Sequence, residues 1–409
     1  MAGGVELATE VPIVVLASAV WDTPNPVNCH QLATRLALAG HRVLFVDSSG
    51  LRAPALLGSA HDRRRVFARL SRGLGGAREV APKLEVLSPL TLPAAWPEPL
   101  RSLSQWLSAR ALRGAARSRG LARPIAWAML PTQLAAARAL EPRLLVYHAV
   151  DDYAANPGVD AAWLRARESE MLRVADLVFA ASPSLAERLR AERPDVELLA
   201  NVADVELFSR ALTQSLAEPE RLAGLRRPRA VYVGNLAAYR FDFELLRAAA
   251  RALPEVEFVL VGPIGLGDPK TPGGPAEALA AERNVHFLGA LPQTELPALL
   301  AHCDVALLPL LENPHTLSCM PLKLWEYLAA GLPVVARDLP NLRGLGDERA
   351  IRPYADARGF VPALAKALDG SRLGREARLE LARPHGWPAR IAEIRRRLAA
   401  ALTARGERD

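Results

Sequence analysis

The chain has 409 residues, half of them hydrophobic, and 51 basic against 44 acidic side chains leave a net charge of +7. That length supplies two α/β domains of roughly 200 residues each, and the positive balance suits anionic partners such as nucleotides, lipid headgroups or nucleic acid. Three cysteines without a C-x-x-C pair exclude a disulfide framework and a cysteine–histidine zinc site, and the lack of an 18-residue apolar run excludes a membrane-spanning helix.

The first ten residues, MAGGVELATE, carry no basic region and no long apolar run, so they do not read as a signal peptide. With Cys29, Cys303 and Cys319 as the whole thiol content, a reducing cytoplasm is the expected location.

Val11 to Ala19 reads as a buried parallel strand, followed by a Pro-rich loop at Trp21 to Pro26. Asn28 to Ala39 places Leu32, Leu36 and Ala39 on one helical face, Gly40 ends it, and Arg42 to Asp47 is the second strand. Strand, loop, helix and strand make a βαβ unit. Residues 61–120 are unusual. His61 to Arg72 is strongly basic, and Trp96 to Arg119 mixes Trp106, Leu103, Leu107 and Leu112 with Arg101, Arg110, Arg113 and Arg117. A helix there is apolar on one face and cationic on the other. It either packs on the core or lies on anionic lipid. Nucleic acid is disfavoured, because no recognition module with interleaved aromatics is visible.

Leu144 to Val150 is a further strand, and Asp151 and Asp152 follow at its carboxyl end, where α/β domains bind ligands. Either aspartate suits a general base or a helix cap. No Asp-x-Asp occurs in the chain. Ala230 starts a second series of strands, and Gly234, Asn235 and Arg240 lie in the loop after the first of them. Arg240 is either a phosphate contact, since guanidinium binds phosphate bidentately, or an ordinary surface arginine. The strand Val256 to Pro263 is followed by no G-x-G-x-x-G, so a nicotinamide site lacks its fingerprint.

Val305 to Leu308 is a strand, and a loop with Asn313, His315, Thr316 and Ser318 leads to a short helix opened by Pro321. Gly331 and Pro333 stop that helix, and Val334 to Ala336 is the next strand. Lys323 in the first turn opposes the helix dipole, and Glu326 stands three residues on. The two form either a solvated pair or an anion and sugar site, with Lys323 helping to neutralise an anion at the helix terminus.

The run PLKLWEYLAAGLPVV, Pro321 to Val335, resembles the nucleotide-sugar motif of group 1 (family 4) glycosyltransferases, in the variant seen in bacterial exopolysaccharide and teichuronic-acid-type enzymes. The resemblance implies the GT-B fold: α/β, with two Rossmann-like doubly wound domains facing a central cleft. It implies that Glu326 holds the donor ribose. Ser318 stands where the family has a second glutamate, so Asn313, His315 and Thr316 become substitute donor contacts. By the same match Gly234, Asn235, Arg240 and Lys323 face the diphosphate, and His148, Asp151 and Asp152 face the acceptor.

The domains expected on this basis are 1–208 for the acceptor, a linker at 209–229, 230–388 for the nucleotide sugar, and a terminal helix from 389 crossing back. The expected activity is metal-independent transfer of a sugar from a nucleotide-sugar donor to a hydroxyl of a glycan or lipid-linked acceptor. No cofactor beyond that co-substrate is expected, nor any nucleic acid. The expected setting is cell-surface polysaccharide synthesis in the cytoplasm, with an anionic membrane surface as a further partner on the inner face. A nucleotide-sugar epimerase or hydrolase of the same fold, and a catalytically silent scaffold that binds glycan or membrane, are the alternatives.

Overall fold

A computed structural model describes residues 7–23, 26–48, 76–89, 100–156, 159–265, 274–343, 345, 350–369 and 374–406. The basic run from His61 to Arg72 lies outside the described residues. Two units make up the chain: Met1–Ala200 with Ile391–Asp409, and Asn201–Arg390.

The first unit holds an eight-stranded sheet of β1 (Ile13–Leu16), β2 (Val43–Val46), β3 (Ala77–Ala81), β4 (Leu84–Leu87), β5 (Ile125–Ala128), β6 (Leu144–Ala149), β7 (Leu177–Ala180) and β8 (Glu197–Leu198), in the order 3-4-2-1-5-6-7-8. All pairs are parallel except β3 with β4. β1, β2, β5, β6 and β7 are buried at every position, as expected when helices cover both faces of a parallel sheet.

The second unit holds β9 (Arg229–Val233), β10 (Glu257–Val261), β11 (Val285–Gly289), β12 (Val305–Leu308), β13 (Val334–Arg337) and β14 (Ile351–Tyr354), all parallel, in the order 11-10-9-12-13-14. Counted from its own first strand this is 3-2-1-4-5-6, the doubly wound order in which the connections reverse direction between β9 and β12. Such a reversal opens a crevice beyond the carboxyl ends of those two strands.

The segment expected as a linker packs into the second unit. Its helix, Val205–Thr213, is capped by the Asp204 carboxylate, which accepts the Leu207 N–H at 3.2 Å. Phe208, Ala211 and Leu222 are buried in that unit's core. Arg210 and Thr213 lie on the exposed face of this helix, and Arg229 at the end of the segment is buried. The terminal helix, Trp387–Gly406, contributes residues from Ile391 onward to the first unit. There Arg395 donates to the Leu7 carbonyl at 3.1 Å, and Arg397 pairs with Glu197 at 2.8 Å. Among the described residues, no helix is long and apolar enough to cross a membrane.

Candidate functional site

The site in the second unit is built by lacing loops together at the carboxyl ends of β9, β10 and β12. The Gly234 N–H donates to Val261 O, Leu236 to Pro263 O, and Gly265 back to Leu236 O, each at 2.8–2.9 Å. Gly262 (φ +142°) is held so close that a Cβ there would lie 1.9 Å from the Gly234 carbonyl oxygen. Only glycine fits that approach. On the other side the Arg240 carbonyl accepts Leu311 N–H, and Asp242 N–H donates to Pro309 O, both at 2.9 Å. Asn313 Nδ2 donates to Tyr239 O at 2.7 Å. The loop carrying Asn235 and Arg240 is therefore joined to the one carrying His315, Thr316 and Ser318.

The stretch read as an open loop contains a short helix, Pro314–Ser318. Asn313 caps it. Its side chain accepts the Thr316 N–H at 3.1 Å, and Thr316 Oγ1 accepts the Asn313 N–H at 3.1 Å. Thr316 is fully buried, and its hydroxyl donates to Leu311 O. Its role as a donor-sugar contact is thereby corrected: the hydroxyl holds the loop. Ser318 Oγ donates to the His315 carbonyl at 2.9 Å, again a local bond. The His315 ring is buried edge-on against Tyr239, with centroids 5.3 Å apart.

The following helix spans Lys323–Ala329, so Pro321 precedes it instead of occupying its first turn. A proline is still suited there, because it directs the chain into the turn without an N–H to satisfy. Tyr327 fixes this helix to the sheet: its buried hydroxyl accepts the Val233 N–H at 2.7 Å, at the last residue of β9. Trp325 stacks on His385 with ring centroids 3.5 Å apart and planes 8° from parallel. At the far end, Arg375 donates to Ala330 O at 3.2 Å and Arg378 to Gly331 O at 2.9 Å. Two guanidinium groups therefore meet the carbonyl end of the helix dipole. Burial pushes the Arg378 guanidinium down to about 10. Neither arginine carries a spacing signal; they come from a separate helix, Arg375–Ala382.

Glu326 and Lys323 face each other on this fixed helix, Nζ to Oε2 at 2.6 Å. The pair is not solvated on both sides: Glu326 is 5% exposed, whereas Lys323 remains half-buried. A buried carboxylate beside an accessible ammonium can accept hydroxyl hydrogen bonds while the cation turns to an anion. Asn341 supports the approach to this helix by donating to Leu317 O at 3.0 Å and Cys319 O at 3.3 Å.

In the first unit the three candidates separate. His148 lies inside β6, buried edge-on between Trp127 and Phe179, with centroids 5.7 and 6.1 Å away. It is a core histidine, because both faces of this sheet are covered. Asp152 joins a buried network: Oδ2 pairs with Arg165 at 2.6 Å, Glu168 Oε2 pairs with Arg165 at 3.2 Å and Arg188 at 2.7 Å, and Tyr147 donates to Glu168 at 2.9 Å. Two carboxylates and two guanidinium groups balance, so Asp152 has a structural role in place of the expected base. Neither aspartate caps the long helix that follows (Ala161–Val174); Asp160 does, accepting Trp163 N–H at 3.0 Å. Asp151 stays half-buried at the strand end, its Oδ1 accepting the Asp152 N–H at 2.9 Å. Beside it, burial and then the Asp151 charge push the Tyr153 phenol up, against a hydrogen bond to Ser18. Tyr153 and Ser18 carried no motif and were not expected at the site. Among the described residues, no three His, Cys, Asp or Glu side chains cluster to hold a metal ion.

The sheet order and lacing define the class, a GT-B fold of two Rossmann-like domains. Two solved structures share it: sucrose-phosphate synthase from Thermosynechococcus elongatus (TM-score 0.69, 17% identity, 97% of this chain and 100% of that one) and Anabaena HepE in complex with UDP and glucose (TM-score 0.65, 16% identity, 96% and 100%). Residues 227–370 match the family model described as Glycosyl transferases group 1. The candidate teichuronic acid biosynthesis glycosyltransferase TuaH of Bacillus subtilis (strain 168) is 26% identical over 242 residues, 56% of this chain and 58% of that protein. The D-inositol 3-phosphate glycosyltransferase of Corynebacterium glutamicum (strain R) is 28% identical over 218 residues, 49% and 51%. The chain thus spans little more than half the length of the curated relatives it matches.

Proposed function

We propose that this chain transfers a sugar from a nucleotide-activated donor to a hydroxyl of a glycan or lipid-linked acceptor, on the cytoplasmic side, in making a cell-surface polysaccharide. The observation that carries the reading is Glu326, buried on a helix locked to the end of β9 by Tyr327. Glu326 would accept the ribose hydroxyls. Lys323, released from Glu326, and Arg240 would neutralise the diphosphate as it leaves. Fixed cations do this without solvent reorganisation, so the reading needs no metal. Gly234 would hold the turn that presents Asn235 to the donor, and His315 and Ser318 would shape the sugar end. Asp151 is the remaining candidate on the acceptor side.

UDP is the first nucleotide to try, because HepE was solved with UDP and glucose. The test is calorimetric titration of the full chain with UDP, GDP, ADP and dTDP, repeated on Glu326→Gln. The variant keeps the shape of the side chain and removes its charge. Loss of a charged hydrogen-bonding partner costs about 1.5–3 kcal/mol, so the preferred nucleotide should bind about 10- to 100-fold more weakly. Binding of none of the four, or equal binding by the variant, would remove the donor site from this helix.

A further inference from the structure

One surface of the first unit is unlike the rest. The helix Leu100–Ser118 contains no acidic residue in 19 positions. Its inner face is anchored: Leu112 and Ala116 are buried in the first unit's core, and Arg113 Nε donates to Ala139 O at 2.8 Å. Its outer face begins with Leu103, Trp106 and Leu107, exposed by 52%, 58% and 48%. Spacings of three and four residues put them on one side. They are three of the seven large hydrophobic side chains exposed among the described residues.

The same outer face continues as cation. Arg110 lies one turn further on, with its guanidinium carbon 5.9 Å from the centre of the Trp106 ring, and Arg117 lies two turns beyond that. Both are exposed. Arg113, at the edge, is paired at 3.4 Å with Glu141, the one acid facing this surface among the described contacts. An apolar half followed by a cationic half along one face fits a water–lipid boundary. Leucine and tryptophan enter the headgroup zone, and arginines meet anionic headgroups. A second copy of the chain fits worse, since a two-fold contact would set this arginine face against itself.

We propose that the outer face of the Leu100–Ser118 helix docks on an anionic lipid surface, with Leu103, Trp106 and Leu107 buried at the interface and Arg110 and Arg117 over acidic headgroups. This stands independently of the nucleotide site.

The experiment is co-sedimentation of the full chain with two kinds of vesicle: pure phosphatidylcholine, and phosphatidylcholine with one quarter phosphatidylglycerol. Binding to the second kind only, weakened by salt, is expected. Leu103→Ser with Trp106→Ser should abolish it. Arg110→Gln with Arg117→Gln should weaken it about fivefold per arginine removed. All four side chains are exposed or peripheral, so unfolding curves should match the parent's. No binding to anionic vesicles overturns the proposal, as does binding that both variants retain. Self-association that the leucine–tryptophan variant loses, without vesicle binding, overturns it in favour of a second copy.

Discussion

The two units place their ion pairs differently along their parallel strands. In the first, Asp152, Arg165, Glu168 and Arg188 neutralise one another next to the carboxyl end of β6. In the second, pairs with exposed arginines stand at the amino ends, Arg227 with Asp304 just before β12 and Arg226 with Glu257 at the start of β10, where His286 joins it, and Lys323 with Glu326 is a single pair in the site. Its carboxyl ends are joined mainly through backbone hydrogen bonds. The difference shows where side-chain charge is already spent. A carboxylate neutralised by two guanidinium groups is a poor base and a strong brace. A crevice laced by main chain leaves Lys323 with one partner, Glu326, to exchange for a ligand.

Four substitutions test that contrast. The largest effect belongs to Glu168→Ala, which leaves two guanidinium groups facing one carboxylate and strips Tyr147 of its acceptor. Breaking such a pair costs about 3–5 kcal/mol, to be read in urea unfolding of the first unit, with nucleotide affinity unchanged. A loss below about 1 kcal/mol would mean that the network behaves as a surface one. Next is Gly262→Ala, whose Cβ meets the Gly234 oxygen. It should cost about 3 kcal/mol through backbone displacement and weaken nucleotide binding as well. If binding survives, the lacing does not shape the site.

Tyr327→Phe should be milder, about 1–3 kcal/mol for the orphaned Val233 N–H, again with weaker nucleotide binding. The smallest effect is a pH dependence. Burial raises the Glu257 carboxyl, but its bonds to His286 and Arg226 outweigh this and hold it below the usual carboxylate range. A depressed folded value contributes stability that is complete above the ordinary glutamate range and is lost as pH falls through the folded value. Unfolding midpoints followed from neutral pH into acid should therefore fall less steeply in Glu257→Gln. An identical acid limb would show the pair to be idle.

Much of this was legible before any coordinates. The β-branched and leucine runs at Ile13–Leu16, Leu144–Ala149 and Val305–Leu308 announced buried parallel strands, and Gly331 and Pro333 announced the end of the helix with Glu326. His148 was expected on the acceptor side, although any interior residue of a strand covered on both faces is buried. Asp152 was not legible, because its partners arrive from two later helices. Thr316 misled because a hydroxyl in a motif looks available. Asn313 three residues earlier was the cue that it serves a cap.

The first unit is assembled from the two ends of the chain, with the second unit inserted between them. Leu398, fully buried, and Ile394, nearly so, belong to the terminal helix, and Arg397 ties that helix to Glu197 and the Leu198 carbonyl. On a ribosome, the second unit has its whole sequence available before residue 391 is made. The first waits about 200 residues between its main body and its closing helix, and contacts of such separation form late. Until that helix emerges, the strip that Ile394 and Leu398 cover stays open on the first unit, and a chaperone has its longest access there.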